Sequence, residues 1–140
     1  MKILIQKFGG TSVSTHERRL LVIKKIINAI EQGYSPVVVV SAMGRAGEPY
    51  ATDTLLSLIH KDFRDKNPLA LDLLMSCGEL ISSVVLCDEL SQSGLNPIPL
   101  TGGQSGIITD SNFNNANLLR VETSNLLDLL NQSKVPVVTG

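Results

Sequence analysis

The amino-acid sequence predicts an α/β protein, folded as a three-layer α/β/α sandwich on a mainly parallel sheet. Lys2–Phe8 is an alternating run that predicts a strand, and a helical pattern follows it. Pro36–Val40 is then a continuous, mostly β-branched run, typical of strands that are buried on both faces of a parallel sheet. Strand, helix and strand of these lengths form a βαβ unit with a right-handed crossover. A further apolar run at residues 135–140 indicates another buried strand.

The first helix is predicted from about His16 to Gln32. Its apolar residues recur at steps of three and four and form one stripe, which comprises Leu20, Leu21, Ile23, Ile26, Ile27 and Ile30. Ser14 or Thr15 is positioned to cap the N-terminus of this helix. Gly33 follows its end, as a C-terminal glycine commonly does.

The middle of the chain is predicted to be helical. A helix covers Leu55–Ile59, with Thr52 or Asp53 as its cap. A charged stretch ends at Asn67-Pro68, which marks a helix boundary because the residue before proline avoids the α region. Leu69–Leu90 is helical again but contains Gly78, so we expect two helices that meet there or one kinked helix.

The last third of the chain alternates short strands and loops. Its predicted elements are a strand at Pro97–Leu100, a hairpin of Ile107–Asp110 and Leu118–Val121, and a helix at Glu122–Gln132. The loop Thr101–Gly106 is rich in glycine. The final apolar run reaches Gly140 without a visible terminator, so we expect the chain to be the N-terminal part of a longer domain.

Composition excludes several classes of partner. Hydrophobic residues make up 43% and charged residues 18%, and the formal net charge is −1. With no basic stripe, we expect neither nucleic acid nor an acidic membrane as a partner. No secretory signal and no apolar run of roughly 18 residues is visible, which predicts a cytoplasmic protein. Cys77 and Cys87 are about 15 Å apart on one helix, too far for a disulfide, and both are predicted to be buried.

Residues Lys7–Val13 carry the strongest functional pattern. Two glycines and then two hydroxyl residues follow the first strand, which reads as strand, tight turn and helix start. Glycines allow close approach of the backbone to an anion, and a helix N-terminus favours phosphate. Lys7 shares a strand face with Ile3 and Ile5 and adds a cation at the carboxyl end of the strand, where ligands of open α/β sheets bind. A turn with a surface lysine is the ordinary alternative.

The heptapeptide Lys-Phe-Gly-Gly-Thr-Ser-Val resembles the signature of the aspartokinases, within the amino acid kinase family. The resemblance implies transfer of the γ-phosphoryl group of ATP, supplied with Mg²⁺, to the side-chain carboxylate of L-aspartate, in biosynthesis of lysine, threonine and methionine. It implies that Lys7 is catalytic and contacts the nucleotide. The other residues that it assigns to the nucleotide are Phe8, Gly9, Gly10 and Gly44. It assigns no metal ligand of the protein.

Two more motifs extend the resemblance. Ser41-Ala42-Met43-Gly44, followed by Thr52-Asp53, is similar to the second loop of the family, so Ser41 and Thr52 are implied to contact the substrate. Ser76-Cys77-Gly78-Glu79 is similar to a Ser-x-Gly-Glu motif, which implies that Glu79 pairs with the α-ammonium group of aspartate. At a helix start, this carboxylate would also be stabilised by the helix dipole. The alternatives are a turn hydroxyl at Ser41, a helix cap at Thr52 and a helix-supporting glutamate at Glu79.

Further expectations concern the extent of the resemblance and the remaining residues. The resemblance spans residues 1–140 as the N-terminal, substrate-binding part of the catalytic domain, without the nucleotide-binding lobe and regulatory domains. An unpaired edge of the sheet favours self-association, so we expect a homo-oligomer. The alternatives are another amino acid kinase or a non-catalytic module that pairs subunits. The kinase interpretation also requires the ammonium group of Lys7 to lie on the same side of the sheet as the carboxylate of Glu79. We expect the Thr101 loop to line the site or support a subunit contact, and Asp53, Asp110 and both histidines to have no catalytic role.

Overall fold

The computed structural model describes all 140 residues and contains one four-stranded sheet. All pairings in this sheet are parallel, in the order β1-β2-β6-β3. The strands along the chain are β1 (Lys2–Phe8), β2 (Tyr34–Val40), β3 (Pro97–Leu100), β4 (Ile107–Thr109), β5 (Leu118–Val121) and β6 (Val135–Thr139). β4 and β5 form a separate antiparallel hairpin. The strands at both ends of the chain, the hairpin and the parallel sheet are therefore confirmed.

Five α-helices connect or cover these strands. They are α1 (His16–Glu31), α2 (Thr52–Leu56), α3 (Lys61–Lys66), α4 (Pro68–Gln92) and α5 (Ser124–Asn131). The side chain of Thr15 caps α1 by accepting a hydrogen bond from the amide of Arg18, at 3.3 Å. Helix α3 was not predicted, because its charged sequence has no apolar stripe to reveal a helical period.

Two apolar layers surround the sheet, which confirms the three-layer sandwich. On one face, the buried side chains of α1 and α4 pack against the sheet, with Ile26, Leu86 and Leu90 completely buried. On the other face, Leu129 and Leu130 of α5 cover β2, β3 and β6. The continuous valine run of β2 is explained by this arrangement, because its residues face both layers.

The carboxyl ends of the strands position the loops of interest side by side. Phe8 is paired with Val40 in the register of β1 and β2, and Val40 is paired with Thr139 of β6. The amide of Ser41 donates to the carbonyl of Phe8 at 3.2 Å. The loops that follow β1 and β2 therefore start next to each other.

Helix α4 is a single continuous helix of 25 residues. Of the two forms expected around Gly78, two helices that meet there is therefore wrong, and one helix is correct. By length and composition, α4 is apolar enough to span a bilayer, which the sequence analysis did not expect. Core helices of proteins without any membrane segment meet the same criterion. Because one side of α4 contributes Leu86, Cys87 and Leu90 to the core, the criterion is weak support here for a membrane span.

The two cysteines differ in environment. Cys87 is buried, as predicted, and burial raises the pKa of its thiol to about 12. Cys77 is exposed, so its predicted burial is wrong. It lies in the half of α4 before the residues that pack on the sheet, and its thiol donates to the carbonyl of Leu73 at 3.3 Å.

Candidate functional site

A cleft of about 580 Å³ opens at the carboxyl ends of β1 and β2. It brings together Ser41, Thr52, Glu79, Gly10 and Gly44, which the sequence analysis singled out from separate parts of the chain. The remaining lining residues are Ala42, Arg45, Ala46, Ala51 and Asp53. The cleft therefore contains hydroxyl groups, two carboxylates and one guanidinium group.

The loop after β1 (residues 9–13, the glycine loop) and the loop after β2 (residues 41–44, the 41–44 loop) are joined directly. The amide of Gly44 donates to the carbonyl of Gly10 at 3.1 Å. A Cβ atom at Gly10 would lie 2.6 Å from the carbonyl oxygen of Ala42 and 2.9 Å from that of Gly44. Gly44 has φ +90°, a conformation that favours glycine. Because the Gly44 amide is already used, its predicted role as a phosphate donor is corrected to one that shapes the loop.

The amides of Gly9 and Gly10 remain available. Neither donates to a backbone acceptor, and a Cβ atom at Gly9 would meet nothing within 4 Å. The helix that follows is only the 3₁₀ turn Gly10–Ser12, and α1 begins at His16. The prediction that an α-helix starts at the glycine loop is therefore wrong. An anion at this loop would be bound by the free amides and not by the dipole of a long helix.

Phe8 does not contribute its side chain to the cleft. It is 9% exposed and packs in the core with Val22 and Val38. Its predicted contact with a nucleotide is thus corrected: the aromatic ring fixes the end of β1, and the carbonyl of Phe8 accepts the hydrogen bond from Ser41.

Glu79 lies in the middle of α4 and not at a helix start, so the dipole argument for its charge fails. Burial raises the pKa of Glu79 to about 6, and the positive charge of Lys7 partly opposes this rise. No cation lies within 4 Å of its carboxylate. The structure therefore presents a half-buried carboxylate without an ion-pair partner, which suits the binding of a ligand ammonium group.

Lys7 is close to the cleft but is not among the residues that line it. Its position in the register, paired with Val39, places it on the face of the sheet covered by α5, whereas α4 covers the other face. Its charge nevertheless acts on Glu79, since it lowers the pKa of that carboxyl. By strand register, the expectation that Lys7 and Glu79 lie on the same side of the sheet is therefore wrong. Lys7 is the penultimate residue of β1, so its charge acts on Glu79 around the carboxyl end of the sheet, where the two faces meet, and the kinase interpretation needs only this proximity.

Ser41 and Thr52 approach the cleft from two elements. Ser41 immediately follows β2, and Thr52 is the first residue of α2. Ala51 occupies the N-cap position, and no side chain caps α2. The predicted capping by Thr52 or Asp53 is therefore wrong, and the Thr52 hydroxyl is not engaged as a cap.

Gly78 explains how Glu79 reaches the cleft. A Cβ atom at residue 78 would lie 2.8 Å from the Cβ of Ala42 and 3.1 Å from the carbonyl oxygen of Tyr50. The absence of a side chain therefore lets α4 pack closely against the loop between β2 and α2. In sequence this glycine suggests a break or kink of the helix, because the residues that pack against it lie far away along the chain.

Gly78→Ala is expected to lower the free energy of unfolding by about 1–2 kcal/mol, because overpacking outweighs the gain of up to about 1 kcal/mol in helix propensity. Denaturant titration of the complete gene product measures this change. Cys77→Ala, on the exposed neighbour, should stay within about 0.5 kcal/mol of the wild type. A Gly78→Ala variant more stable than the wild type would contradict the packing role.

Arg45 is a lining residue that the sequence analysis missed. It lines the cleft and also a second polar recess of about 370 Å³ beside Arg18 and Glu48. Its amide donates to the carboxylate of Glu48 at 2.6 Å. A cation directly after the glycine of the loop that follows β2 is the signal that could have found it.

Other predicted candidates lie elsewhere. The Thr101 loop does not line the cleft, and its Thr101 and Gln104 bond each other through backbone amides and side-chain oxygens. Asp110 accepts hydrogen bonds from Asn112 and Asn117, which hold the pKa of its carboxyl below the ordinary value. The turn role expected for Asp110 accounts for these contacts.

Comparison with known proteins places the chain among amino acid kinases. The profile of the amino acid kinase family matches residues 2–140. Aspartokinase 1 of Bacillus subtilis (strain 168) is 46% identical over 140 residues, which are all of this chain and 35% of that protein. The aspartokinase of Geobacillus stearothermophilus is 35% identical, over 100% of this chain and 33% of that protein.

Solved structures agree with this result. Aspartate kinase from Synechocystis superposes with a TM-score of 0.74 at 37% identity, over 100% of this chain and 22% of that chain. E. coli aspartokinase III in complex with aspartate and ADP gives a TM-score of 0.72 at 17% identity, over 100% and 40% of the two chains. The second likeness supports the fold alone. The chain spans about a third of the length of the curated relatives described here. The match of the family profile over nearly the whole sequence shows that the chain belongs to the amino acid kinase family.

Proposed function

We propose that this chain is the N-terminal, amino-acid-binding part of an aspartate kinase, which transfers the γ-phosphoryl group of ATP to the side-chain carboxylate of L-aspartate. One observation carries the proposal: the cleft joins Glu79, Ser41 and Thr52 to the glycine loop at one end of the sheet. Relatives up to 46% identical are named aspartokinases. An aspartate kinase in the cytoplasm, acting as a homo-oligomer in the synthesis of aspartate-derived amino acids, fits this proposal.

The residues of the cleft have distinct roles in the proposal. The carboxylate of Glu79 pairs with the α-ammonium group of aspartate in a charge-assisted hydrogen bond. Ser41 and Thr52 donate hydrogen bonds to the same substrate. These contacts orient the side-chain carboxylate of aspartate toward the glycine loop, where an oxygen of that carboxylate attacks the γ-phosphorus as the bond to ADP breaks.

Lys7 and the glycine amides stabilise the transferring group. Phosphoryl transfer depends on positioning and on positive groups around the moving phosphate rather than on covalent help from the protein. The free amides of Gly9 and Gly10 and the charge of Lys7 meet this need. Mg²⁺ would enter with the nucleotide and neutralise charge on its phosphates.

The acceptor specificity tests the proposal directly. The complete gene product is incubated with ATP and Mg²⁺ and with aspartate, glutamate, N-acetylglutamate or carbamate, and ADP is separated by chromatography. We expect ADP formation with aspartate and with none of the other three acceptors. Formation with another acceptor would support a different amino acid kinase, and calorimetry that detects binding of neither ATP nor aspartate would support a non-catalytic module.

Glu79 should give aspartate binding a characteristic pH dependence. Because only the carboxylate pairs with an ammonium group, and burial raises the pKa of Glu79 to about 6, binding should be intact above pH 6 and weaken as pH falls through this value. The KM for aspartate at pH 5 should be roughly tenfold above its value at neutral pH. Initial rates at varied aspartate concentration and saturating ATP measure it.

Glu79→Gln should raise the KM for aspartate at neutral pH and abolish this pH dependence, with the KM for ATP unchanged. Glu122→Gln is the matched control, because Glu122 lies outside the cleft beside the exposed hairpin. A Glu79→Gln variant that keeps the wild-type pH profile would refute the assignment of Glu79.

A further inference from the structure

Arg19 connects parts of the fold that are distant in sequence. It lies in α1, and only 11% of its side chain is exposed. Its guanidinium group binds one carboxylate oxygen of Glu89 in α4, with Nε at 2.9 Å and a terminal nitrogen at 2.8 Å. His16 approaches the same oxygen with Nδ1 at 3.2 Å. The side chain of Arg19 is therefore anchored to both helices on one face of the sheet.

Glu89 is a fixed anchor for this guanidinium group. Burial acts to raise the pKa of its carboxyl, but the hydrogen bonds from Arg19 and His16 outweigh burial and lower it. The carboxylate is thus held in its charged form beside a cation that is always charged. A partly buried pair of this geometry holds both side chains in place more firmly than an exposed pair does.

The same guanidinium group contacts both loops of the cleft. Its Nη1 donates to the carbonyl of Val13 at 3.0 Å and lies 3.6 Å from the sulfur of Met43. Val13 is completely buried and directly follows the 3₁₀ turn of the glycine loop, and Met43 directly precedes Gly44. Arg19 therefore contacts each loop within three residues of the Gly10–Gly44 hydrogen bond.

We propose that Arg19 is a positioning residue that holds the glycine loop and the 41–44 loop in fixed relation to each other, with Glu89 as its anchor. Arg19 does not line the cleft, so it acts through the loops and not on a ligand. The kinetic consequence rests on the proposed function, whereas the effect on loop order does not.

Lysine at this position separates the two parts of the proposal. Its single ammonium group can pair with Glu89, but it lacks the planar fork that reaches the carbonyl of Val13 and the sulfur of Met43 at the same time. Arg19→Ala removes both the ion pair and the loop contacts. If Arg19 serves only to join α1 and α4, Arg19→Lys should behave like the wild type. If Arg19 also positions the loops, Arg19→Lys should keep the ion pair and still lose the order of the loops.

Amide hydrogen exchange of the complete gene product is the first readout. In Arg19→Lys, we expect exchange of peptides that cover residues 8–14 and 41–50 to accelerate about fivefold, as for the loss of a single hydrogen bond. The thermal midpoint should stay near that of the wild type, while Arg19→Ala lowers it. Arg120→Lys is the control, because Arg120 forms an exposed pair with Glu122 at the same distance of 2.8 Å but lies in β5 of the separate antiparallel hairpin.

Steady-state kinetics give the second readout. Arg19→Lys should lower kcat/KM for ATP by about tenfold, less than the roughly hundredfold that a misplacement of about 1 Å can cost, and Arg120→Lys should leave it unchanged. Wild-type exchange and wild-type kinetics in Arg19→Lys would overturn the proposal. If the wild-type protein forms no ADP with any acceptor, the proposed function fails, and the exchange of the two loop peptides alone decides whether Arg19 positions them.

Discussion

Replacement of Lys7 by alanine is expected to reduce kcat of the complete gene product by about two to three orders of magnitude, the usual effect of removing one group that stabilises developing charge. Lys7 is exposed and has no carboxylate within 4 Å, so the fold does not depend on it. Its charge nevertheless acts on the cleft, since it lowers the pKa of Glu79. Rates of ADP formation at saturating substrates measure the effect.

The same variant should change the titration of Glu79. Lys7 lowers the pKa of this carboxyl against the effect of burial, so its removal raises that pKa further. The pH below which aspartate binding weakens should therefore move upward in Lys7→Ala. Lys2→Ala, at the other end of β1, is the control and should alter neither kcat nor the pH profile. Turnover of Lys7→Ala equal to that of Lys2→Ala would remove Lys7 from the mechanism.

The strands were predictable because their signals are local. β1, β3 and β5 have the predicted bounds, and the valine run of β2 indicated burial on both faces correctly. A strand that is buried on both faces needs apolar residues at nearly every position, so a short continuous apolar run in the sequence identifies it. The approach of the loops after β1 and β2 then followed from the general geometry of parallel sheets.

The misinterpreted residues are those whose role depends on distant neighbours. Gly78 looks like a helix break until Ala42 and Tyr50 are seen against it. Cys77 has an apolar neighbourhood in sequence but faces outward. The pair of Arg19 and Glu89 is separated by 70 positions and has no sequence signal of its own.

In the cleft, too, the residues that belong to local motifs could be predicted, whereas a property set by distant packing could not. Ser41, Thr52 and Glu79 were found through motifs, and the structure places them around one cavity. The charge state of Glu79 was not predictable, because the supposed helix start would have favoured its ionisation, whereas burial within α4 disfavours it. The burial of Glu79 follows from the packing of α4 against the loop between β2 and α2, which the sequence does not reveal.

Alanine should have different effects at the two adjacent glycines of the glycine loop: it should destabilise the fold at Gly10 and leave the fold stable at Gly9. A Cβ atom at Gly10 would lie 2.6 Å from a backbone oxygen and 2.9 Å from another, and neither oxygen can move without separating the two loops. We expect Gly10→Ala to lower the free energy of unfolding by about 3 kcal/mol, at the upper end for overpacking. Denaturant titration of the complete gene product measures this loss.

Gly9→Ala is the matched counterpart. Its Cβ atom would meet nothing within 4 Å, and Gly9 has φ −75°, which alanine adopts without strain. Stability should therefore remain within about 0.5 kcal/mol of the wild type. The new methyl group would instead occupy the space through which a phosphate approaches the free amides, so affinity for ATP, measured by calorimetry, should fall while the fold persists. Equal stability of the two variants would show that the contact between the loops is not what requires glycine at position 10, and unchanged ATP affinity in Gly9→Ala would place the nucleotide phosphates elsewhere.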